Sequence, residues 1–186
     1  MNVLAQKVKK HLDRPIILVG MMGTGKTVLG LALSDVLKLP FYDSDYEIEQ
    51  DQGRSITEIF AADGEAVFRV LEKQKIKDLI DDDICVIATG GGALVTPENL
   101  ERVKEGAVSV WLKVDVDIIF SRIGKDEARP LLQTDNPLQT LEGLLSARES
   151  LYAQADIHID NNSADIDGAV EAILQKLLDY HANEDS

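Results

Sequence analysis

The sequence feature that most limits the possible folds is a glycine-rich segment between an apolar run and an amphipathic stretch. The apolar run Ile16–Val19 predicts a buried strand, and Lys26–Leu37 has the periodicity of a helix. Between them, residues 20–27 read G-M-M-G-T-G-K-T, the pattern of a phosphate-binding loop. Its glycines let backbone N–H groups turn toward phosphate oxygens, its lysine adds positive charge and its threonine offers a metal-binding hydroxyl. The segment therefore predicts a strand–loop–helix unit that holds the phosphates of a nucleotide.

Short apolar runs alternate with helical patterns along the rest of the chain. Such alternation predicts an α/β fold, in which a mainly parallel sheet is covered by helices on both faces. Parallel strands connected by right-handed crossovers bring their carboxyl ends to one edge, where ligands bind. The five candidate strands cover residues 16–19, 40–42, 84–89, 108–112 and 157–159.

The length of 186 residues is typical of one domain. We expect the domain over residues 15–180, an N-terminal extension over 1–14 that forms a short surface helix, and a frayed acidic tail over 181–186.

The net charge of −14 argues against nucleic acid as a partner, because the sequence contains no basic stripe to oppose the repulsion. No apolar run reaches the roughly 20 residues needed to span a membrane. Cys85 is the single cysteine, which indicates a reducing compartment. We therefore expect a cytoplasmic protein with no nucleic-acid or membrane partner. We also expect a monomer, although these features do not determine the oligomeric state.

Phosphoryl transfer also needs carboxylates, and the sequence offers two after the second candidate strand. The strand at 84–89 runs into Gly90, Gly91 and Gly92, so it is not followed by the aspartate common in phosphate-loop proteins. Asp43 and Asp45 are spaced i, i+2 at a strand end, which predicts that they point the same way. One could organise Mg²⁺-bound water while the other accepts a proton from an attacking hydroxyl. An ordinary acidic turn is the alternative.

Three further segments suggest a bound anion. The glycines at 90–92 fit either close backbone approach to a substrate or a flexible turn. Arg69 and Glu72 lie one helical turn apart, as either a surface ion pair or a guanidinium aimed at a substrate carboxylate. Residues 124–136, with Arg129 at the centre, fit either a loose connection or a lid that excludes water.

Six motifs in this order closely resemble the shikimate kinase family. They are G-M-M-G-T-G-K-T at 20–27, D-S-D at 43–45, F-R-V-L-E at 68–72, the glycines at 90–92, R-P-L-L at 129–132 and R-E-S-L-Y at 148–152. The resemblance covers about residues 15–178. It implies a three-layer α/β/α kinase with a five-stranded parallel sheet and a lid, which transfers the ATP γ-phosphoryl to the 3-hydroxyl of shikimate.

The resemblance also implies the roles of individual residues. Those implied to bind ATP are Gly23, Thr24, Gly25, Lys26, Thr27, Val28, Arg122 and Arg129, with residues 162–164 near the adenine. Those implied to bind shikimate are Asp45, Arg69, Gly91, Gly92 and Arg148. Mg²⁺ would be held by Thr27 and, through water, Asp43. Asp45, Lys26 and Arg129 would be catalytic.

Two other functions compete with this interpretation. A gluconate kinase or a nucleoside-monophosphate kinase shares the loop and the fold, but the pair Arg69 and Arg148 and the glycine triplet fit a small cyclic hydroxy-acid better. A switch GTPase would need an N-K-x-D motif and a D-x-x-G motif directly after the third strand; the first is absent, and the third strand runs into the glycine triplet instead.

Overall fold

The computed structural model of the protein describes residues 2–123 and 134–184. Strands and helices alternate along these residues as the sequence predicts, and none of their helices is long and apolar enough to cross a membrane. The strands are β1 (Ile16–Val19), β2 (Phe41–Asp43), β3 (Val86–Ala88), β4 (Val108–Lys113) and β5 (Ile157–Asp160). The helices are α1 (Asn2–His11), α2 (Lys26–Leu37), α3 (Ser44–Gln52), α4 (Ile56–Asp63), α5 (Glu65–Asp81), α6 (Pro97–Gly106), α7 (Val116–Ile123), α8 (Pro137–Tyr152) and α9 (Ile166–Glu184), with a 3-10 turn at Ala93–Val95.

The five strands form one parallel sheet in the order β2-β3-β1-β4-β5. Strand β1 lies in the middle, where Ile16 is in register with Val86 of β3 and Val108 of β4. The predicted fold class is confirmed. Because β1 is buried on both faces, all of its residues are apolar and successive side chains enter opposite cores.

Helices cover both faces of the sheet. Helices α1, α2 and α9 pack on one face, and α5, α6, α7 and α8 pack on the other. A smaller cluster of Ile48, Ile59 and Phe68 joins α3, α4 and α5 beside the β2 edge. This arrangement leaves the carboxyl ends of the strands at one rim, and the loops that follow β1, β2 and β3 meet there.

A capping box and a glycine position helix α5 relative to this rim. The Ser55 side chain accepts a hydrogen bond from the Glu58 N–H while Glu58 bonds back to the Ser55 N–H, which starts α4 as the sequence pattern predicts. Gly64 then separates α4 from α5 with φ 84°, a backbone angle that favours glycine. Helix α5 begins at Glu65, directly after this break, and carries Arg69 to Gly92.

The two chain ends differ from the expectation of a surface helix and a frayed tail. The N-terminal segment is helical, but Ala5 and Val8 of α1 are buried against α9. Helix α9 continues to Glu184, and His181 is buried with its ring stacked 6.4 Å from that of His11. The predicted tail is therefore wrong for residues 181–184, because contact with α1 extends the last helix.

Candidate active site

The phosphate-binding loop connects β1 to α2 as predicted. Gly23 and Gly25 have φ 76° and φ 93°, in the left-handed region that glycine adopts without strain. The ammonium of Lys26 is buried and donates to the carbonyls of Gly20 (2.8 Å) and Met21 (2.6 Å). A lysine inside the curve of the loop, at the N-terminus of a helix, creates a local positive potential in an acidic protein.

Asp43 and Thr27 lie side by side next to this loop. The Thr27 hydroxyl donates to Asp43 Oδ2 over 2.7 Å, so the two predicted metal-binding oxygens are in contact. Asp43 also caps α3, because its Oδ1 accepts from the backbone N–H of Asp45 over 3.1 Å. The sequence analysis expected Asp43 and Asp45 to point the same way from a strand end, and that reason for grouping them was wrong. Asp43 ends β2 while Asp45 is in the first turn of α3, so the two are not successive same-side residues of a strand.

Asp45 is the most strongly perturbed acid of the site. Burial, followed by repulsion from Asp43 and Glu72, raises its pKa from 3.8 to about 7, although the charge of Lys26 opposes the rise. Within the described residues its Oδ1 is buried and accepts no hydrogen bond. A carboxyl group with this pKa can exchange a proton near neutral pH, as a general base must.

The three glycines after β3 are the point at which the site residues converge. A Cβ built on Gly90 would lie 2.7 Å from Asp45 Oδ1, and one built on Gly92 would lie 2.7 Å from Arg69 Nη2. At Gly91 the same test places a Cβ 3.0 Å from the backbone nitrogen of Met22, in the phosphate loop. The backbone of the triplet therefore approaches Asp45, Arg69 and the phosphate loop closely, and only at Gly91 is the nearest neighbour itself backbone.

Arg69 is held by two acids of its own helix. Its Nη1 donates to Glu72 Oε2 (2.8 Å), while its Nε and Nη2 donate to Glu65 Oε1 (3.2 and 2.8 Å). The Glu72 side chain is 1% exposed, and burial raises its pKa against the opposing effect of Arg69. The predicted pair of Arg69 and Glu72 is present, and it is partly buried rather than an exposed surface pair.

Arg148 and Tyr152 attach α8 to the middle glycine. Arg148 Nη1 donates to the Gly91 carbonyl over 3.2 Å, and the Tyr152 hydroxyl donates to the same oxygen. Burial raises the pKa of Tyr152 to about 12, so the phenol keeps its proton. These contacts bring Arg148 to the same glycine triplet that Arg69 and Asp45 contact, so all five predicted acceptor-binding residues lie together.

A second group of contacts joins the phosphate loop to the segment after β5. Arg122 donates to the carbonyl of Gly23 (3.3 Å) and to those of Asn161 and Ser163 (3.5 Å each). Asn161 is buried and its Nδ2 donates to the Thr24 carbonyl over 2.9 Å. The sequence analysis missed Asn161, because a single amide 137 residues away from Thr24 carries no local pattern.

The remaining residues that were predicted to bind ATP differ in their burial. Thr24 is buried and its hydroxyl donates to the Met21 carbonyl over 2.8 Å, whereas Val28 is 52% exposed in the first turn of α2. Arg129 and most of the predicted lid lie outside the described residues.

Comparison with known proteins identifies the family that has this arrangement. The family model described as shikimate kinase matches residues 22–178, which include residues 22–27 of the phosphate loop, the aspartates and the glycine triplet. The chain belongs to the shikimate kinase family. A shikimate kinase from Cereibacter sphaeroides is 44% identical over 172 residues, which cover 92% of this chain and 86% of that protein. One from Caulobacter vibrioides is 45% identical over 169 residues, covering 91% and 84%.

Solved structures agree with this membership. A shikimate kinase from Acinetobacter baumannii in complex with shikimate has a TM-score of 0.88 and 38% identity, and the match covers 92% of this chain and 97% of that chain. The shikimate kinase from Aquifex aeolicus has a TM-score of 0.79 and 36% identity over 88% of this chain and 95% of that chain. A gluconokinase from Sinorhizobium meliloti, at 16% identity and a TM-score of 0.60, shares the fold alone.

Proposed function

We propose that this chain transfers the γ-phosphoryl group of ATP to the 3-hydroxyl of shikimate, giving shikimate 3-phosphate and ADP in chorismate and aromatic amino acid biosynthesis. It is an ATP-dependent phosphotransferase of the shikimate kinase family. The observation that carries the proposal is the convergence of Asp45, Arg69 and Arg148 on the glycines beside the phosphate loop. One base and two guanidinium groups match an acceptor that has one reacting hydroxyl and one carboxylate.

The nucleotide would lie across the phosphate loop. Lys26 and the N–H groups of the loop would bind the β- and γ-phosphates, whose charge they neutralise during transfer. Arg122 and residues 162–164 would hold the adenine between α7 and the segment after β5. We assign Arg129 of the proposed lid to the transferring phosphoryl group on the basis of the family motif.

Asp45 would act on the acceptor hydroxyl. As the shikimate oxygen forms its bond to the γ-phosphorus, the O–H proton passes to the Asp45 carboxylate and the bridging P–O bond breaks to release ADP. A pKa of about 7 leaves a useful fraction of the carboxyl ionised at neutral pH while keeping it basic enough to receive the proton.

Arg69 and Arg148 would bind the shikimate carboxylate, and Gly91 and Gly92 would contact the ring through the backbone. The Gly91 carbonyl accepts from Arg148 and Tyr152, so we assign the contact with a ring hydroxyl to the Gly91 N–H. Fork-shaped guanidinium groups favour such planar anions.

A Gly92→Ala substitution tests this arrangement. We expect the KM for shikimate to rise at least roughly tenfold with little change in the KM for ATP, because the new methyl group would displace the Arg69 guanidinium from its position. The fold should persist, since the displaced group is the end of a flexible side chain. Gly143→Ala is the matched control, because its Cβ meets nothing within 4 Å in α8, and it should stabilise the protein by up to about 1 kcal/mol. Equal effects on both substrates would contradict the role of Arg69.

The site also suits Mg²⁺. The Thr27 hydroxyl and the Asp43 carboxylate present adjacent oxygens 2.7 Å apart beside the phosphate loop, and Mg²⁺ prefers oxygen ligands. We propose that Thr27 ligates the ion and that Asp43 holds one of its waters. When bound, the ion neutralises charge on the phosphate oxygens.

Replacing Asp43 by asparagine should raise the Mg²⁺ concentration needed for half-maximal turnover by roughly 10- to 100-fold. The asparagine oxygen can still accept from the Asp45 N–H, so the cap of α3 is retained, and measuring at a pH well above 7 keeps Asp45 ionised in both proteins. A magnesium titration at saturating ATP and shikimate measures the effect. Asp35→Asn, an exposed change on α2, should leave the titration unchanged; an unaltered titration for Asp43→Asn would exclude the proposed metal position.

The acceptor is tested directly by ADP release with shikimate, gluconate and AMP in parallel. We expect rapid release with shikimate and background rates with the other two. Turnover with gluconate or AMP and not with shikimate would overturn the proposal.

We further propose that the protein works as a monomer in the cytoplasm; the buried, unpaired Cys85 is consistent with a reducing compartment.

A further inference from the structure

We propose that Glu65 is a built-in competitor for the substrate carboxylate, because it accepts from both donors along one edge of the Arg69 guanidinium. It thereby lowers the affinity for shikimate and keeps Arg69 paired before the substrate arrives. The inference rests on the proposed function, in which Arg69 binds the carboxylate of shikimate.

The donors of Arg69 are distributed over three directions. Nε and Nη2, which together form one bidentate edge, both donate to Glu65 Oε1. Nη1 donates to Glu72 Oε2. The edge between Nη1 and Nη2 faces Gly92, where a built Cβ would lie 2.8 and 2.7 Å from the two nitrogens. A second carboxylate can take a bidentate position on Arg69 if one of the two glutamates leaves.

The two glutamates differ in how easily they can leave. Glu72 is in the middle of α5 with its side chain 1% exposed, so separation from Arg69 would strand a buried carboxylate. Glu65 is the first residue of α5, directly after Gly64, and its side chain is 63% exposed. Its carboxylate can return to water, where exposed ion pairs are weak. The substrate therefore displaces Glu65 and leaves Glu72 in place.

The contact also favours acids over neutral molecules. A carboxylate that replaces Glu65 restores charge-assisted bonds to Nε and Nη2 of Arg69, whereas an uncharged group of the same shape would leave the guanidinium with a weaker partner. Displacing Glu65 costs each ligand the same free energy. A carboxylate recovers most of that cost from Arg69, whereas an uncharged analogue recovers less and therefore binds more weakly.

The test is a Glu65→Gln substitution in the full-length protein. The glutamine keeps the size of the side chain and removes its charge, so the KM and the dissociation constant for shikimate should fall roughly two- to fivefold. The kcat and the KM for ATP should not change. High salt should reduce the difference between variant and wild type, because it screens the exposed pair. Glu98→Gln is the matched control, since Glu98 is also exposed in the first turn of its helix and pairs with Lys73 (3.2 Å), away from the site.

Two results would overturn the competition. A higher KM for shikimate in Glu65→Gln would mean that Glu65 holds Arg69 in its binding position, and an unchanged KM would mean that the pair has no effect on binding. The Arg69→Ala variant distinguishes failure of the competition from failure of the proposed function. If Arg69→Ala impairs shikimate binding while Glu65→Gln is silent, the competition alone fails. If Arg69→Ala leaves shikimate binding intact, the placement of the carboxylate fails and the competition fails with it.

A double variant adds a readout that a structural role would not give. Glu65→Gln should have no effect on the KM for shikimate in the Arg69→Ala background, because the guanidinium for which Glu65 and the substrate compete is then absent. A persistent two- to fivefold effect in that background would show that Glu65 acts on the substrate by another route and would overturn the proposal.

Discussion

Replacing Asp45 by asparagine is expected to reduce kcat by roughly 10²- to 10⁴-fold while leaving ATP binding intact. The carboxylate lies against Gly90 of the triplet, where the acceptor is proposed to bind, so the loss should fall on the acceptor proton. In the wild type, kcat/KM for shikimate should fall as the pH decreases through about 7, because protonated Asp45 can no longer accept that proton. The residual activity of the variant should lack this dependence.

The same substitution should stabilise the folded protein in the absence of nucleotide and Mg²⁺. The folded-state pKa of Asp45 is raised above its ordinary value of 3.8, so between pH 3.8 and about 7 the folded state binds more protons than the unfolded state. The wild type therefore loses stability across this interval, and the loss is complete above pH 7. Because asparagine carries no charge, the variant escapes this cost, and we expect it to be more stable by about 2 kcal/mol above pH 7.

Denaturant unfolding at pH 8 and at pH 4 measures the effect. We expect a higher free energy of unfolding for Asp45→Asn at pH 8 and a difference near zero at pH 4, with Asp35→Asn as the exposed control on α2. A variant with near-normal kcat would exclude Asp45 as the base. A stability difference that does not change with pH would show that its pKa is not raised.

Local patterns predicted the fold well because each strand carries its own signal. The apolar run of β1 and the helical periodicity of α2 are properties of a few neighbouring residues, and both elements have the predicted bounds. The ends of the chain were predicted less well. The burial of α1 and the extension of α9 depend on contact between segments more than 160 residues apart along the chain, between His11 and His181 for example.

The candidate site also combines residues that local motifs predict with contacts between distant segments that they do not predict. Motifs located Lys26, Asp45 and Arg69, because their chemistry has a characteristic spacing in the sequence. The contacts that position them are tertiary: Asn161 reaches the Thr24 carbonyl across 137 residues, and Tyr152 reaches Gly91 across 61. The competition from Glu65 could not be predicted either, because a glutamate four residues before an arginine is the usual pattern of a harmless surface pair.

Replacing Lys26 by methionine should reduce kcat/KM for ATP by roughly 10³-fold, with a much smaller change in the dissociation constant of shikimate. The ammonium is the charge within the loop, where its donors now bind the carbonyls of Gly20 and Met21. Phosphate oxygens accept stronger, charge-assisted bonds than carbonyls do, so ATP should draw the ammonium from these carbonyls. Methionine fills the same space without a donor, and turnover at varied ATP measures the loss. Normal ATP kinetics would contradict the loop assignment.

The same variant should also affect the base, which links the two halves of the site. The charge of Lys26 lowers the pKa of Asp45 against burial and the repulsion of Asp43 and Glu72, so its removal should raise that pKa above the wild-type value of about 7. An NMR titration of the Asp45 carboxyl carbon without nucleotide measures the shift, and Lys73→Met, an exposed change away from the site, is the control. An unchanged titration would show that the loop and the base are electrostatically independent. A raised one would mean that the charge of Lys26 keeps Asp45 ionised enough to accept the proton, in addition to the role at the phosphates that the ATP kinetics test.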